Sequence, residues 1–252
     1  MQQGFTLVEL AIVLMIIGLL IGGVLRGQEL MQNARITSTI QQVKAYQGAM
    51  VSFHDTYGDL PGDLRKATDR LPGCNTDNSC KDGNGNSVFD TATNFVWSSV
   101  SVNIDSEAAQ FWKHLALAHL ISGIDVSASA PEWGKSNPIA KIKGGFFMNS
   151  SAASIAGSTQ PIATGNYLIL RNSITGQWVC GSGSGDMEEM CVISPQRGLQ
   201  IDRKMDDGFA ITGDVLAVSS GWNKGCGGGT NGFTGYTETK TTSSCDMMFR
   251  LN

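Results

Sequence analysis

The chain has 252 residues, of which 41% are hydrophobic, and it carries a net charge of −4 with a pI near 5.3. This charge excludes a generally basic surface, so nucleic acid is not an indicated partner. Removing roughly 55 N-terminal residues leaves about 195, enough for one globular domain with a hydrophobic core and hardly for two.

The first predicted element is a long apolar helix near the N-terminus. Residues 5–25 are 21 residues in which Glu9 is the only charged side chain. As a helix they would span about 30 Å, which is the hydrocarbon thickness of a bilayer. A secretory signal peptide has a different order, with positive charge first and a small-residue cleavage site after a shorter apolar run. The segment therefore predicts a membrane-spanning helix, and a carboxylate inside such a helix is functional by default.

The residues around Glu9 resemble a known processing signal. The stretch Gly4-Phe5-Thr6-Leu7-Val8-Glu9-Leu10, followed by the apolar run, is similar to the class III signal of type IV pilins and type II secretion pseudopilins. The resemblance implies that residues 1–4 are a leader, that a prepilin peptidase cleaves between Gly4 and Phe5, and that Phe5 is then N-methylated. It also implies that Glu9 neutralises the N-terminal amine of a neighbouring subunit during assembly.

The same resemblance implies a location and a set of partners. The chain would first be a single-pass inner-membrane protein with a periplasmic C-terminal domain. It would then join other pilin or pseudopilin subunits, through an inner-membrane assembly platform, in a filament at the cell surface or across the periplasm.

Physical chemistry supports the implied role of Glu9. A free Phe5 amine and the Glu9 carboxylate each carry a desolvation cost in an apolar environment, and pairing offsets part of that cost. The alternative is that Glu9 snorkels towards the membrane interface. Two positions depart from the family pattern. The leader contains no Lys or Arg, so the positive-inside rule gives little support for the orientation, and Arg26 stands where many pilins have a proline.

An amphipathic helical segment, residues 26–57, is predicted to continue the apolar helix. Its apolar residues recur mostly at intervals of three or four, and no proline occurs before Pro61. One helix from Phe5 to about Tyr57 would be roughly 80 Å long. Its first half would lie in the membrane or in a filament core, and its second half would pack against the domain. The alternative is two helices broken near Arg26. The apolar positions are Leu30, Ile36, Ile40, Val43, Met50, Phe53 and Tyr57.

Residues 58–252 predict a globular domain that begins with the turn Leu60-Pro61-Gly62-Asp63-Leu64. A second helix is predicted from about Ser106, as its N-cap, to Ile121, and Pro195 opens a short helix to Lys204. This order predicts an α+β fold in which an antiparallel sheet packs against the outer half of the long helix. Strand patterns occur at Gly145–Met148, Tyr167–Arg171, Gln177–Cys180, Cys191–Ile193 and Val215–Ser219.

All six cysteines lie in this domain, and their even number indicates disulfides formed in an oxidising compartment. The alternative is a zinc site, but the sequence has no C-x-x-C pair and its three histidines are remote from most of the cysteines. The sequential pairing is predicted because each bond then closes a short loop. The predicted pairs are Cys74–Cys80, Cys180–Cys191 and Cys226–Cys245.

Residues 82–90 are the best candidate for a ligand site. Oxygen-bearing side chains alternate with glycines there, as at the start of a calcium loop. The acidic residue expected three positions further on is Thr93, so the pattern is incomplete, and the alternative is a Gly- and Asn-rich surface loop. Calcium is therefore a candidate ligand, and no cofactor is required. The candidate ligands are Asp82, Asn84, Asn86 and Asp90 through side-chain oxygens and Val88 through its carbonyl.

Two other groups of residues bear on possible chemistry. Asp202, Asp206 and Asp207 indicate either a calcium or partner surface or a solvated charged face. The general-base candidates near neutral pH are His54, His114 and His119, and no G-x-S-x-G, Walker or H-E-x-x-H motif accompanies them. The sequence therefore indicates no enzyme. The resemblance implies a structural subunit of a pilus or secretion pseudopilus. The alternative, which the size of the domain favours, is a minor subunit at the filament tip that acts as a binding module and contacts DNA, surfaces or secreted cargo.

Overall fold

The computed structural model describes residues 6–75, 80–89, 100–101, 103–151, 165–176, 180, 191–218, 225–227 and 235–251. Within these ranges the fold is α+β, as the sequence predicts: a long N-terminal helix, shorter helices, and an antiparallel sheet. The helices are α1 (Leu7–Tyr57), α2 (Ala67–Arg70), α3 (Glu107–Leu117) and α4 (Pro195–Met205). The strands are β1 (Val100–Ser101), β2 (Gly145–Ser151), β3 (Gly165–Arg171), β4 (Thr175–Gly176), β5 (Val215–Val218) and β6 (Asp246–Leu251).

Helix α1 is one continuous helix of 51 residues, about 75 Å long. It passes Arg26 without interruption, so the alternative of two helices broken there is wrong. It ends at Gly58, whose φ of 79° is left-handed and whose N–H donates to the His54 carbonyl. A glycine at this position accepts the left-handed conformation without the steric cost of a Cβ atom.

Helix α3 is shorter than the sequence predicts, because it closes in a Schellman motif. Ser106 is its N-cap, as predicted, and accepts a hydrogen bond from the Ala109 N–H. At the other end, His119 is left-handed with φ 58°, and the Leu120 N–H donates back to the Leu115 carbonyl at 3.0 Å. This pattern terminates a helix. The predicted end at Ile121 is therefore wrong, whereas the short helix predicted from Pro195 to Lys204 is present as α4.

The main sheet has four antiparallel strands in the order β2-β3-β6-β5. Each of its two edge strands donates one backbone hydrogen bond to a neighbouring loop. The Phe146 N–H of β2 donates to the Pro138 carbonyl at 3.0 Å, and the Ala217 N–H of β5 donates to the Ala210 carbonyl at 2.8 Å. Loops that bond to edge strands reduce pairing with another chain. A separate two-stranded ribbon joins β1 to β4.

The strand predictions were only partly right. Those at Gly145–Met148, Tyr167–Arg171 and Val215–Ser219 match β2, β3 and β5, whereas residues 177–179 of Gln177–Cys180 lie outside the described residues. The prediction at Cys191–Ile193 is wrong. Ile193 makes a single antiparallel bridge to Cys245, and the chain then turns into α4 at Pro195.

The core lies between α1, α3 and one face of the sheet. Phe111 and Trp112 of α3 are fully buried and pack edge to face, with ring centroids 4.9 Å apart. Tyr46 of α1 packs against Trp112 at 5.0 Å and against Phe146 of β2 at 5.5 Å. The aromatic side chains thus connect the three elements, and such pairs stabilise beyond the area that they bury.

Three disulfides close the domain in sequential order, Cys74–Cys80, Cys180–Cys191 and Cys226–Cys245. They join residues separated by 6, 11 and 19 positions, so each closes a local loop. Such loops restrict the unfolded chain, and the longest restricts it most. The third bond also fixes residue 245, directly before β6, which is a central strand of the sheet.

Candidate functional site

The first half of α1 is exposed along its length, and near its end the Gln32 side chain accepts a hydrogen bond from Arg197 of α4. Every residue from Thr6 to Arg35 is exposed, and the first buried residue of the helix is Ile36. We call residues 6–35 the free half. It contains a window of 18 residues with a mean hydropathy of 2.7, none of it buried, which is long and apolar enough to cross a membrane. Leu30, predicted on the apolar face that packs against the domain, lies in the free half and is exposed.

The N-terminus of the free half is a capping box. The Thr6 hydroxyl accepts a hydrogen bond from the Glu9 N–H at 3.3 Å, and the Thr6 N–H donates to Glu9 Oε2 at 2.8 Å. The Thr6 hydroxyl donates to the same oxygen at 2.9 Å. These bonds satisfy N–H groups that an apolar surrounding would leave without partners. Glu9 therefore has a structural partner in its own chain, and its carboxylate is directed to the N-terminal end of the helix.

The proposed processing residues Gly4 and Phe5 lie outside the described residues, directly before this capping box. Sequence reasoning singled out Glu9 and did not recognise Thr6. The signal was present, because a threonine followed three residues later by a glutamate, ahead of an apolar run, is the pattern of a capping box.

The second half of α1 is anchored in the domain. Ile36, Val43 and Phe53 are each at most 1% exposed. The Gln42 side chain donates to the Ile139 carbonyl and accepts from the Lys141 N–H, both at 3.0 Å. Burying each of these apolar side chains stabilises the folded chain by about 1.5–3 kcal/mol, so the helix and the domain fold as one unit.

Two arginines form ion pairs with Asp59, directly beyond the C-terminal end of α1. Arg65 pairs with Asp59 at 3.0 Å, and Arg70 pairs with the same carboxylate at 3.4 Å while donating to the Tyr57 carbonyl. The hydrogen bond from Arg65 lowers the pKa of Asp59. Cations near the last carbonyl groups of a helix are favourable because those groups carry partial negative charge.

The turn after α1 joins three parts of the domain. The Gly62 N–H donates to His114 Nδ1 at 2.8 Å, and His114 Nε2 lies 3.0 Å from the Lys81 carbonyl. Because Nδ1 accepts, Nε2 must carry the proton of a neutral ring. Burial lowers the pKa of His114 to about 4. This histidine, named in the sequence as a general-base candidate, is instead a neutral bridge inside the fold.

Residues 80–89 wrap around a buried carboxylate in the same turn. Asp63 is 1% exposed and accepts hydrogen bonds from the N–H groups of Gly85 at 2.6 Å and Ser87 at 2.7 Å. The Asn84 N–H lies 3.1 Å from Asp63 Oδ1 and 3.0 Å from Glu107 Oε1. Backbone N–H groups that converge in this way supply the hydrogen bonds that a buried carboxyl group needs.

Three of the side chains predicted to bind calcium, those of Asp82, Asn84 and Asn86, accept backbone hydrogen bonds. Asp82 Oδ1 accepts from the Thr68 N–H, and the side-chain oxygens of Asn84 and Asn86 accept from N–H groups two residues ahead, at 2.8–2.9 Å. Val88 is exposed, and Asp90 lies outside the described residues. The loop thus has its own internal bonding, and calcium binding stays a prediction.

Other groups of possible metal ligands also have partners in the described residues. Asp202, Asp206 and Asp207 place carboxylate oxygens within 4.8 Å of one another. Tyr236 and the Gly208 N–H donate to Asp202, and burial raises its pKa to about 6. Cys74 and Cys80 lie equally close to His114, but they are joined as a disulfide. Asp202 therefore has partners within its own chain, and a calcium or partner surface at this group stays a prediction.

Comparison with known proteins identifies the N-terminal part of the chain. Residues 1–25 match the family model described as the prokaryotic N-terminal methylation motif. No curated protein and no solved structure matches the chain. This motif implies processing by a prepilin peptidase and assembly with other subunits, and the apolar free half fits membrane anchoring. Over its first 25 residues the chain carries the N-terminal methylation motif, which is the signature of type IV pilins and pseudopilins.

Proposed function

We propose that the chain is a structural subunit of a type IV pilus or of a type II secretion pseudopilus, cleaved after Gly4 and assembled through α1. The free half of α1 carries this proposal. It is apolar and exposed from Leu7 to Leu25 apart from one carboxylate, at Glu9. A surface of this kind requires lipid or other apolar helices around it.

The capping box supports a specific assembly contact. The bonds from Thr6 use Glu9 Oε2, and in the described part of the chain Oε1 accepts no hydrogen bond. An ionised carboxylate has acceptor capacity at both oxygens. Glu9 therefore keeps its bonds to Thr6 and still binds an ammonium group. The N-methylated amine of a neighbour's Phe5 supplies that group and offsets the desolvation of both charges.

The packing of the second half of α1 in the domain supports the proposal that the helix and the domain move together. Buried side chains and the ion pairs of Asp59 fix α1 in the domain, so moving the helix moves the whole subunit. Extraction from the inner membrane by an assembly platform then places the domain on the outside of the filament. Neighbouring subunits are set in register by the Glu9 contact.

Substitution of Glu9 tests the proposal. We expect Glu9→Leu and Glu9→Ala to be processed and held in the membrane but absent from sheared filaments, because the neighbour's amine loses its counter-charge. The matched control is Glu29→Leu, which removes an exposed carboxylate from the same helix beyond the apolar run. It should assemble like the wild type. Filament levels equal to wild type for both Glu9 variants would contradict the proposal.

The size of the domain favours a second candidate, a minor subunit at the filament tip. About 195 residues follow α1, more than a compact major pilin needs. A tip subunit would use this domain to contact DNA, surfaces or secreted cargo. Counting copies per filament with a labelled chain distinguishes the two candidates, since a tip subunit is present once or a few times and a major subunit throughout.

A further inference from the structure

Two segments lie along the opposite edges of the main sheet. Residues 132–143, which we call the β2-side segment, bond to β2 through the Pro138 carbonyl, which accepts from the Phe146 N–H at 3.0 Å. Residues 206–214, which we call the β5-side segment, bond to β5 through the Ala210 carbonyl, which accepts from the Ala217 N–H at 2.8 Å. Because the strand order is β2-β3-β6-β5, the two segments lie on opposite sides of the domain, and the edge strands between them are roughly 14 Å apart.

The β2-side segment is basic. It has a net charge of +2, from one acidic residue and three basic ones, Glu132, Lys135, Lys141 and Lys143. Glu132 and Lys135 pair with each other at 2.7 Å, so the excess charge belongs to the two other lysines. Lys141 is exposed, and among the described residues its ammonium group forms no ion pair. The segment also carries an apolar side chain in water, because Ile139 is 55% exposed.

The β5-side segment is acidic. It has a net charge of −3, from three aspartates and no basic residue, Asp206, Asp207 and Asp214. Asp207 is exposed, and its carboxylate accepts from the Phe209 N–H at 2.8 Å and from the Thr212 hydroxyl at 2.6 Å. These neutral donors hold the carboxylate in place without cancelling its charge. The neighbouring Arg203 is paired with Glu238, and the Phe209 side chain is 59% exposed.

The charges favour contact between unlike segments of two copies. Two β2-side segments would repel each other, and so would two β5-side segments, which disfavours a symmetric dimer through either one. A β2-side segment against a β5-side segment is attractive, and the contact removes Ile139 and Phe209 from water. Such a contact is heterologous, since each copy uses one edge towards the preceding copy and the other edge towards the next. A heterologous contact that does not close into a ring builds a helical filament.

The two segments also lie at similar levels along α1. Gln42 donates to the Ile139 carbonyl of the β2-side segment. Gln47 donates to the Arg250 carbonyl, and the Arg250 N–H donates to the Asp214 carbonyl of the β5-side segment. The two points of attachment are five residues apart, about 8 Å along the helix axis. Copies that pack side by side through α1 therefore bring one edge close to the other.

We propose that the β2-side segment of one subunit binds the β5-side segment of the next copy of this chain in the filament. Lys141 faces the aspartates, and Ile139 packs against Phe209. This inference rests on the proposed function and adds a contact between domains. The Glu9 contact joins the helices inside the filament, whereas this one joins the domains on its outside.

Crosslinking within isolated filaments tests the proposal. The full chain carries Ile139→Cys and Phe209→Cys together, and the filaments are treated with a short bis-maleimide, which leaves disulfides intact. We expect a ladder of dimers, trimers and longer multimers, because each copy contacts two neighbours. Either substitution alone should give no dimer, since like segments do not meet. Both side chains are exposed, so their replacement leaves the core unchanged.

A charge reversal tests the electrostatic part of the contact. Lys141→Glu, added to the chain with both new cysteines, should lower the rate of crosslinking about fivefold, because it places a carboxylate opposite the aspartates. The matched control is Lys66→Glu, which makes the same charge change at an exposed lysine directly before α2. The control should crosslink like the parent chain.

The outcomes separate this inference from the proposed function. Dimers from either single-cysteine variant, or equal crosslinking rates for Lys141→Glu and Lys66→Glu, would overturn the proposed contact. Filaments that require Glu9 but give no ladder from the double variant would refute this inference and leave the proposed function intact. Absence of the wild-type chain from filaments would refute both.

Discussion

At the scale of single residues, polar groups fix the junction between α1 and the domain. His114 is fully buried in α3 and bridges the Gly62 N–H to the Lys81 carbonyl. Sequence periodicity gives no indication of this role, because His114 lies off the apolar side of α3 and its partners are 52 and 33 positions away. Glu9 is different: its charge within an apolar run identifies it in the sequence alone.

The neutral state of His114 predicts a pH dependence of stability. Its pKa is lowered from 6.5 to about 4 by burial, so between these values the unfolded chain binds a proton that the folded chain does not. The free energy of unfolding therefore falls as the pH falls from about 6.5 towards 4, by up to about 1.4 kcal/mol per pH unit. Asp202, whose pKa is raised to about 6, contributes in the opposite direction. The contribution of His114 must therefore be isolated by substitution.

His114→Asn removes the titrating group and keeps an acceptor near the position of Nδ1. We expect the variant to be less stable than the wild type at pH 7, and the difference to shrink as the pH is lowered to 5. Guanidinium unfolding of the full chain in detergent, followed by tryptophan fluorescence, measures both free energies. A difference that stays constant over this pH range would show that His114 is not held neutral by burial.

At the scale of elements, the close approach of the turn after α1 to α3 depends on glycine. Gly62 has φ +87°, and a Cβ atom there would lie 2.3 Å from the Glu107 carbonyl oxygen and 2.9 Å from the Phe111 nitrogen. Both neighbours are backbone atoms of α3, so the strain is not relieved by a side-chain rotation. Helix α3 would have to move away from the end of α1.

Gly62→Ala tests this packing against a matched control. Gly123 has a similar φ of +82°, and a Cβ atom added there would have no neighbouring atom within 4 Å in the described part of the chain. Gly123→Ala should cost only the backbone strain, about 1 kcal/mol. Gly62→Ala should cost several kcal/mol more, since it adds a backbone clash. Equal losses in denaturant unfolding would mean that the contact between the turn and α3 is not tight.

Sequence patterns predict some of these elements better than others. Helix α1 was predicted nearly to its ends, because a 3.6-residue periodicity without proline is a strong signal. Strand β6 was missed: Asp246–Leu251 contains no β-branched residue, and it follows a Gly- and Thr-rich tail. Its strand conformation comes from pairing with β3 and β5 on either side, which local sequence does not encode.

At the scale of the whole molecule, the subunit is a globular domain carried on a helix that extends well beyond it. Residues 6–35 of α1 are exposed, and residues from Ile36 onwards are anchored. The α+β class and the long helix were predictable from the order of sequence patterns. The placement of unlike charges at the two edges of the sheet was not, because it depends on the strand order, which puts residues 132–143 and 206–214 on opposite sides of the domain.

The most direct test of the proposed assembly is the intact mass of the subunit isolated from assembled filaments. We expect a chain that begins at N-methylated Phe5, lacks residues 1–4 and contains no free thiol, since all six cysteines are paired. In the proposed assembly, the free Phe5 amine is the group with which Glu9 of the neighbouring subunit pairs. A subunit that still carries Met1 to Gly4 within normal filaments would contradict this assembly mechanism.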